Sequence, residues 1–150
     1  MTLAGSLDSL RAAGSLEAQG FEWQRIRSPK VTTTFSWLGG KRPQLTGVVL
    51  ADSIGAGDFG FHDVSLQAAG YADSLDWSGG TMLGKSSRFD GVGGWYRTDA
   101  GRFLRVDSLQ AALALHRYRL TDPVAISLSD SAPAIGALSL VTTDGSGLLR

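Results

Sequence analysis

The stretch VTTTFSWLGGKRPQLTGVVL, from Val31 to Leu50, decides the fold class. Its first eight residues alternate and are rich in β-branched and aromatic side chains, a pattern typical of a β-strand. Gly39-Gly40 closes this run, and the run from Leu45 to Leu50 indicates a second, buried strand. The stretch therefore predicts two strands separated by a turn.

Similar strand patterns recur along the rest of the chain, at 21–26, 61–69, 102–107, 124–128 and 135–142. The stretch from Leu75 to Leu83 holds Trp77 beside Ser78-Gly79-Gly80 and indicates the tip or shoulder of a turn. About eight short strands at spacings of roughly ten residues favour a sandwich or jelly roll, because parallel units would need crossover helices between strands. The segment from Ser108 to Arg119 fits either a helix capped by Asp107 or Ser108 or a further strand. We predict an all-β fold, an antiparallel, jelly-roll-like β-sandwich over residues 21–150.

The amino-terminal segment has a different pattern. Leu3, Leu7, Leu10, Ala13 and Leu16 recur at spacings of three and four, which line one face of a helix. A short helix is marginal in isolation, so it would need to pack on the body of the protein or on a partner. We predict a short helical anchor over residues 1–20, with an interface formed by Leu3, Leu7, Leu10 and Leu16.

Composition excludes several classes of function. The chain has 150 residues, enough for one domain, and its 14 basic and 14 acidic residues give a formal net charge of zero. Such a chain has no field that would attract nucleic acid or an anionic membrane. It contains no cysteine, and His62 and His116 are its only histidines, which excludes thiolate and multi-histidine metal sites. No apolar run approaches the roughly 20 residues of a membrane span, and the start lacks the order of a signal peptide, so we expect synthesis in the cytoplasm without membrane insertion.

One motif invites enzymatic interpretations, the stretch VVLADSIGAGDF from Val48 to Phe59. Its Asp52-Ser53 resembles the Gly-Asp-Ser block of SGNH hydrolases, with Ser53 as nucleophile, but the other blocks of that family are missing. The same stretch is similar to the Asp-Thr-x-Gly-Ala-Gly-Asp signature of ribokinase-like sugar kinases, a fold about twice this length. The stretch does not match the Gly-x-Ser-x-Gly motif of a nucleophile elbow either, because Ala51 stands at the position of the first glycine. We favour a tight glycine turn and predict no enzyme, with no catalytic residue, metal or cofactor.

The aromatic residues suggest a binding surface. Trp77, Trp95 and Tyr96 lie in glycine-rich surroundings, so loop exposure is credible for them. Flat aromatic rings can stack on the apolar faces of sugars, although aromatic side chains serve packing and protein interfaces more often. We take these three residues as the candidate binding residues.

A resemblance gives the most specific expectation of function. The stretch TFSWLGGKRPQLTGVVLADSI (Thr34 to Ile54), the Leu75-Asp76-Trp77 turn and the strand GRFLRVD (Gly101 to Asp107) look like a β-sandwich module of phage and gene-transfer-agent tail or fibre proteins, similar to discoidin-type jelly rolls. The resemblance implies a virion structural protein, a tail, fibre or head-decoration subunit that acts in assembly or host adhesion. Its partners would be other virion proteins or copies of itself, with a surface glycan as a further candidate. A carbohydrate-binding module and a small SGNH-type hydrolase with Ser53 remain as alternatives.

Overall fold

The computed structural model describes residues 2–4, 10–24, 26–113, 115–128, 133–135, 139–143 and 148–149. Within these residues every regular element is a strand, so the predicted all-β class is confirmed. The strands are β1 (Thr2–Ala4), β2 (Arg11–Trp23), β3 (Ile26–Leu38), β4 (Gln44–Ala56), β5 (Phe59–Tyr71), β6 (Ser74–Leu83), β7 (Ser87–Thr98), β8 (Gly101–Leu113), β9 (His116–Leu120), β10 (Val124–Leu128), β11 (Pro133–Ile135), β12 (Leu140–Thr142) and β13 (Leu148–Leu149).

These strands form one antiparallel sheet with a meandering order. From β1 to β9 each strand pairs with its neighbours in the chain, β12 and β13 continue the sheet beyond β9, and β10 pairs with β8 and β11. Short turns such as Gly57-Asp58, Ala72-Asp73 and Asp99-Ala100 join long strands. Gly57 has a φ of 61°, the left-handed backbone that two-residue hairpins require. Direct hairpin connections therefore lead to an up-and-down sheet.

The two sides of the sheet differ in polarity. Residues paired across strands share a side, and successive residues along a strand alternate between sides. One transverse row consists of Gly14, Phe35, Gly47, Ala68, Trp77, Gly93, Val106 and Val124. The row next to it consists of Ser15, Thr34, Val48, Gln67, Ser78, Val92 and Ser108. We call the side of Trp77 the apolar face and the side of Gln67 the polar face.

The sheet has hardly any buried core. Among the described residues, the buried apolar side chains are Ala51, Ala111 and Val124, and no large side chain is fully buried. The chain exposes 10509 Å² of surface. A compact monomer of 15.8 kDa would expose roughly 7,300 Å². The excess follows from the architecture, because a single layer of strands leaves both of its faces open.

The predicted amino-terminal helix is wrong where the structure describes this segment. Residues Thr2–Ala4 form β1, and Arg11–Trp23 form β2, which pairs with β3 along its length. The segment carries two patterns at once. Its leucines recur at spacings of three and four, and its apolar residues also recur at every second position. In that pattern Ala12, Gly14, Leu16 and Ala18 alternate with polar or small residues, and pairing to β3 satisfies the backbone of the segment.

The structure bears on four further expectations. The turn expected from Leu75 to Leu83 is wrong, because these residues lie in β6, which pairs with β5 and β7. The single sheet does not confirm a sandwich of two packed layers. The ambiguous segment from Ser108 to Arg119 is extended where it is described, in the second half of β8 and in β9. The expected boundary between anchor and domain, at residue 20, falls inside β2.

Candidate functional site

The apolar face is the main candidate for a functional surface. On this face, four central rows of paired residues run across the strands from β2 to β8. None of these four rows contains a charged residue in the described chain. Seven strands spaced by about 4.8 Å and four rows spaced by about 6.7 Å give a patch of roughly 900 Å². The largest apolar patch on an ordinary monomer is about 300–600 Å². This face is therefore larger than a soluble monomer normally exposes.

Glycines and aromatic rings together make the centre of this face flat. The ring of Trp77 lies across β7, so that a methyl group at Gly93 would come within 2.8 Å of its Cζ2 atom and one at Gly91 within 3.4 Å of its Cη2 atom. A methyl group at Gly93 would also overlap the carbonyl oxygen of Arg105 on β8. Because Gly91 and Gly93 have no side chains, the indole ring of Trp77 has room to lie against β7. The indole Nε1 of Trp77 is buried without a hydrogen-bond partner.

The three aromatic residues predicted to bind a ligand lie on both faces. Leu75 pairs with Trp95 and Trp77 with Gly93, which puts both tryptophans in adjacent rows of the apolar face. Tyr96 follows Trp95 in the same strand and therefore belongs to the polar face, where its ring stacks on Phe103 with centroids 5.3 Å apart. All three are in strand β7 or β6 rather than in loops. The structure brings Trp77 and Trp95 together and leaves Tyr96 apart from them.

Three of the four predicted interface leucines are described, and they lie at the first edge of the sheet. Leu16 lies on the apolar face of β2 and is 64% exposed. Leu3 lies in β1 and pairs with Ala12 of β2. Leu10 comes directly before β2, and its carbonyl oxygen accepts a hydrogen bond of 2.7 Å from the amide of Gly39. Leu7 lies outside the described residues.

Sequence analysis missed other exposed members of the same face, notably Leu66, which is 42% exposed. Its neighbours across the strands are Val49 and Gly79. The alternation of apolar and polar residues along β5 already indicated that Leu66 belongs to the apolar side of that strand. Alternation, however, identifies the apolar side of a single strand only. The register between strands was needed to show that these sides join into one surface.

The candidate nucleophile Ser53 lies in β4, in register with His62 on β5. No hydrogen bond connects their side chains in the described structure. The backbone carbonyl oxygen of Ser53 accepts a hydrogen bond from the buried Ser28 hydroxyl at 2.6 Å. The hairpin turn of this motif consists of Gly57 and Asp58, in agreement with the predicted glycine turn. Among the described residues, no group of three or more His, Asp or Glu side chains could hold a metal ion.

The polar face has a shallow groove of about 750 Å³. Hydroxyl and amide side chains contribute to its lining, from Thr34, Ser36, Thr46, Gln67 and Ser78, together with apolar residues such as Val48, Ala69 and Val92. The lining also contains two carboxylates, Asp76 and Asp107, and Asp107 forms an ion pair of 2.7 Å with Arg105. Such a surface is well solvated, and its charges are matched by short-range pairs along the strands.

One of these pairs leads to a test of pH dependence. Arg88 donates hydrogen bonds of 2.7 and 2.9 Å to Asp90, and these bonds hold the pKa of the Asp90 carboxyl below its ordinary value. A lowered folded-state pKa stabilises the protein above the unfolded pKa, and this contribution is lost as the pH falls through the folded value. The side chains are 66% and 47% exposed, so the effect should be small.

We therefore expect the urea midpoint to fall slightly between about pH 5 and pH 2. The Arg88→Gln variant should show a smaller fall over this range, because its Asp90 lacks the partner that lowers the pKa. Identical pH profiles for the two proteins, measured by circular dichroism, would contradict this account of the pair.

No helix in the described part of the chain is long and apolar enough to cross a membrane. Comparison with protein-family models found no match for this chain. Comparisons with curated proteins and with solved structures also found none.

Proposed function

We propose that this protein is a structural subunit without catalytic activity, which joins a larger assembly by covering its apolar face with another protein layer. The observation that supports the proposal is the uncharged apolar face of roughly 900 Å², a size that matches the roughly 800 Å² that each partner contributes to a standard interface. An exposed patch of this size marks an interaction surface or an aggregation hazard.

The shape of the face suits a protein partner. Sheets pack face to face at a distance of about 10 Å when side chains of two flat layers interdigitate. Here the small residues Gly47 and Ala68 lie between Phe35 and Trp77 in one row of the face, so a partner can approach the sheet closely between these two rings. At about 25 cal/mol per Å², covering roughly 900 Å² of apolar surface contributes a gross value of about 20 kcal/mol. Association costs about 4–15 kcal/mol, and ordering of interface side chains costs more, so this gross value permits a complex but does not set its affinity.

The resemblance to phage tail and fibre modules supplies one setting for such a subunit, a virus particle in which copies of the chain or neighbouring virion proteins are the partners. In that setting the apolar face would point inward to the assembly, and the polar face outward to solvent or host. A role in host adhesion would then use the polar groove rather than Trp77 and Trp95, which belong to the covered side.

The proposal is tested by placing a charge on either side of one strand. Leu66→Glu puts a carboxylate in the apolar face, whereas Gln67→Glu changes the next residue, on the polar face. We expect the unmodified chain to form discrete oligomers in light scattering, Leu66→Glu to reduce the mass of these oligomers, and Gln67→Glu to leave it unchanged. Circular dichroism should show that both variants remain folded.

Two results would argue against a protein layer. A stable monomer that binds no hydrophobic dye would show that the apolar face needs no cover. A monomer that floats with phosphatidylcholine vesicles, and loses this binding in Leu66→Glu, would show that lipid rather than protein covers the face.

A further inference from the structure

Strand β2 has an open edge. On one side β2 pairs with β3 along its whole length, but on the other side β1 pairs only with Arg11, Ala12 and Ala13. Within the described residues, no strand pairs with the outer edge of β2 after Ala13. Gly20 has a φ of 62° and interrupts the regular strand. A regular segment from Gly14 to Gln19 therefore presents backbone N–H and C=O groups that need partners.

We propose that this edge pairs with the same edge of a second copy of the chain, in an antiparallel arrangement that joins two sheets into one. The inference is independent of the proposed function, because it concerns the edge of the sheet and not its face. Two antiparallel strands of identical sequence are related by a two-fold axis perpendicular to the sheet. Both apolar faces then lie on the same side, and residues meet residues of the same face.

The sequence of the edge selects one register. A two-fold axis at Glu17 would place two carboxylates directly opposite each other, which is unfavourable. An axis at Leu16 places Leu16 opposite its own copy, Ser15 opposite Glu17, and Gly14 opposite Ala18. The paired segment then runs from Gly14 to Ala18 and ends there, because Gln19 would come opposite Ala13, whose outer edge is already paired with Thr2 of β1. This register also covers Leu16, whose side chain is 64% exposed in the single chain.

Cysteine cross-linking tests the register directly, because the chain contains no cysteine of its own. Directly opposed residues in antiparallel strands have Cα atoms about 4.5–5.5 Å apart, within the range of a disulfide. We expect Leu16→Cys to form a disulfide-linked dimer under mild oxidation. Ala18→Cys, on the same edge but opposite Gly14 in this register, should cross-link much less. Ala68→Cys, in the middle of the apolar face, reports on face-to-face association instead.

Charge variants provide a second measurement of the same arrangement. The dimer contains two Ser15–Glu17 pairs, one on each side of the axis. Ser15→Glu would therefore create two repulsive pairs of carboxylates, and Ser15→Lys would create two attractive ion pairs. We expect dimer dissociation constants, measured by analytical ultracentrifugation, to rise roughly two- to thirtyfold in Ser15→Glu and to fall in Ser15→Lys. Gln67→Glu and Gln67→Lys, in the same row but on the inner strand β5, should leave the constants unchanged.

The outcomes separate this proposal from the proposed function. Cross-linking through Ala68→Cys without cross-linking through Leu16→Cys would overturn the edge pairing and leave the face association standing. Edge cross-links that persist in Leu16→Cys combined with Leu66→Glu would support the edge pairing whatever happens to the face. A chain that stays monomeric at all concentrations, or Ser15 variants that shift the dissociation constant in the same direction, would overturn it.

Discussion

Replacing Gly93 by alanine should unfold the protein or destabilise it by at least about 3 kcal/mol, the upper range for overpacking a tight site. Gly93 lies in β7 between Trp77 on β6 and Val106 on β8. A methyl group there would overlap the carbonyl oxygen of Arg105, and it would come within 2.8 Å of the Trp77 ring. The backbone clash cannot be relieved by a side-chain rotation. Separation of β7 from β8 is the available response, and it breaks the sheet in its middle.

A matched control for this variant is Gly47→Ala. Gly47 belongs to the same row of the apolar face, in the first half of β4, and a methyl group there would meet its nearest atom, the carbonyl oxygen of Thr34, at 3.6 Å. That is an ordinary contact, and alanine restricts the unfolded chain more than glycine does, so Gly47→Ala should be neutral or stabilising. Urea denaturation followed by circular dichroism measures both variants. Equal midpoints for the two would show that Gly93 is not the tight site described above.

The second large effect is expected for Trp77→Ala, which should destabilise the protein by about 2–4 kcal/mol. The ring of Trp77 bridges β6 and β7 by lying over Gly91 and Gly93, which have no side chains to make this contact themselves. Its removal would leave the centre of the apolar face without packing. We place the loss below that of a fully buried tryptophan, because this residue is only partly buried.

Trp77→Phe separates the packing of the ring from its polar group. The buried Nε1 of Trp77 has no hydrogen-bond partner, so the smaller phenyl ring loses contact area but gives up no hydrogen bond. We expect Trp77→Phe to cost less than about 1.5 kcal/mol, as conservative hydrophobic replacements do. If Trp77→Phe were as damaging as Trp77→Ala, a hydrogen bond of the indole would have to explain it.

Individual strands could be predicted because their patterns are local. The alternation from Val31 to Leu38 predicted the second half of β3, and the run from Leu45 to Leu50 predicted the first half of β4. The turn at Asp99 and Ala100 was marked by the glycine that follows it. The strands are longer than predicted, because β5 pairs with β4 at Ser53, and both β3 and β5 pair with it at Gly55. The glycine turn predicted for this motif is therefore short, and consists of Gly57 and Asp58.

The layering of the fold could not be predicted in the same way. An apolar side on each strand is compatible with two packed sheets and with one open sheet, since both place the same residues on one face. The amino-terminal segment shows the competition between two periods: Leu10 and Leu16 fit a helical stripe, and Leu16 also fits the strand pattern that β3 stabilises. The candidate site depended on register, which placed Leu66 and Trp77 in adjacent rows although each is unremarkable in its own strand.

The meandering order has a consequence for how such a chain folds and changes in length. Between β2 and β7 every strand pairs only with the strand before and the strand after it in the chain. Stability is then close to a sum of hairpin terms and nearest-neighbour terms, as in repeat proteins, and folding can begin at any hairpin and spread outward. Inserting or deleting two consecutive strands would widen or narrow the sheet by about 9.6 Å without reversing any remaining strand. A sheet of this kind can therefore grow by duplication, one hairpin at a time.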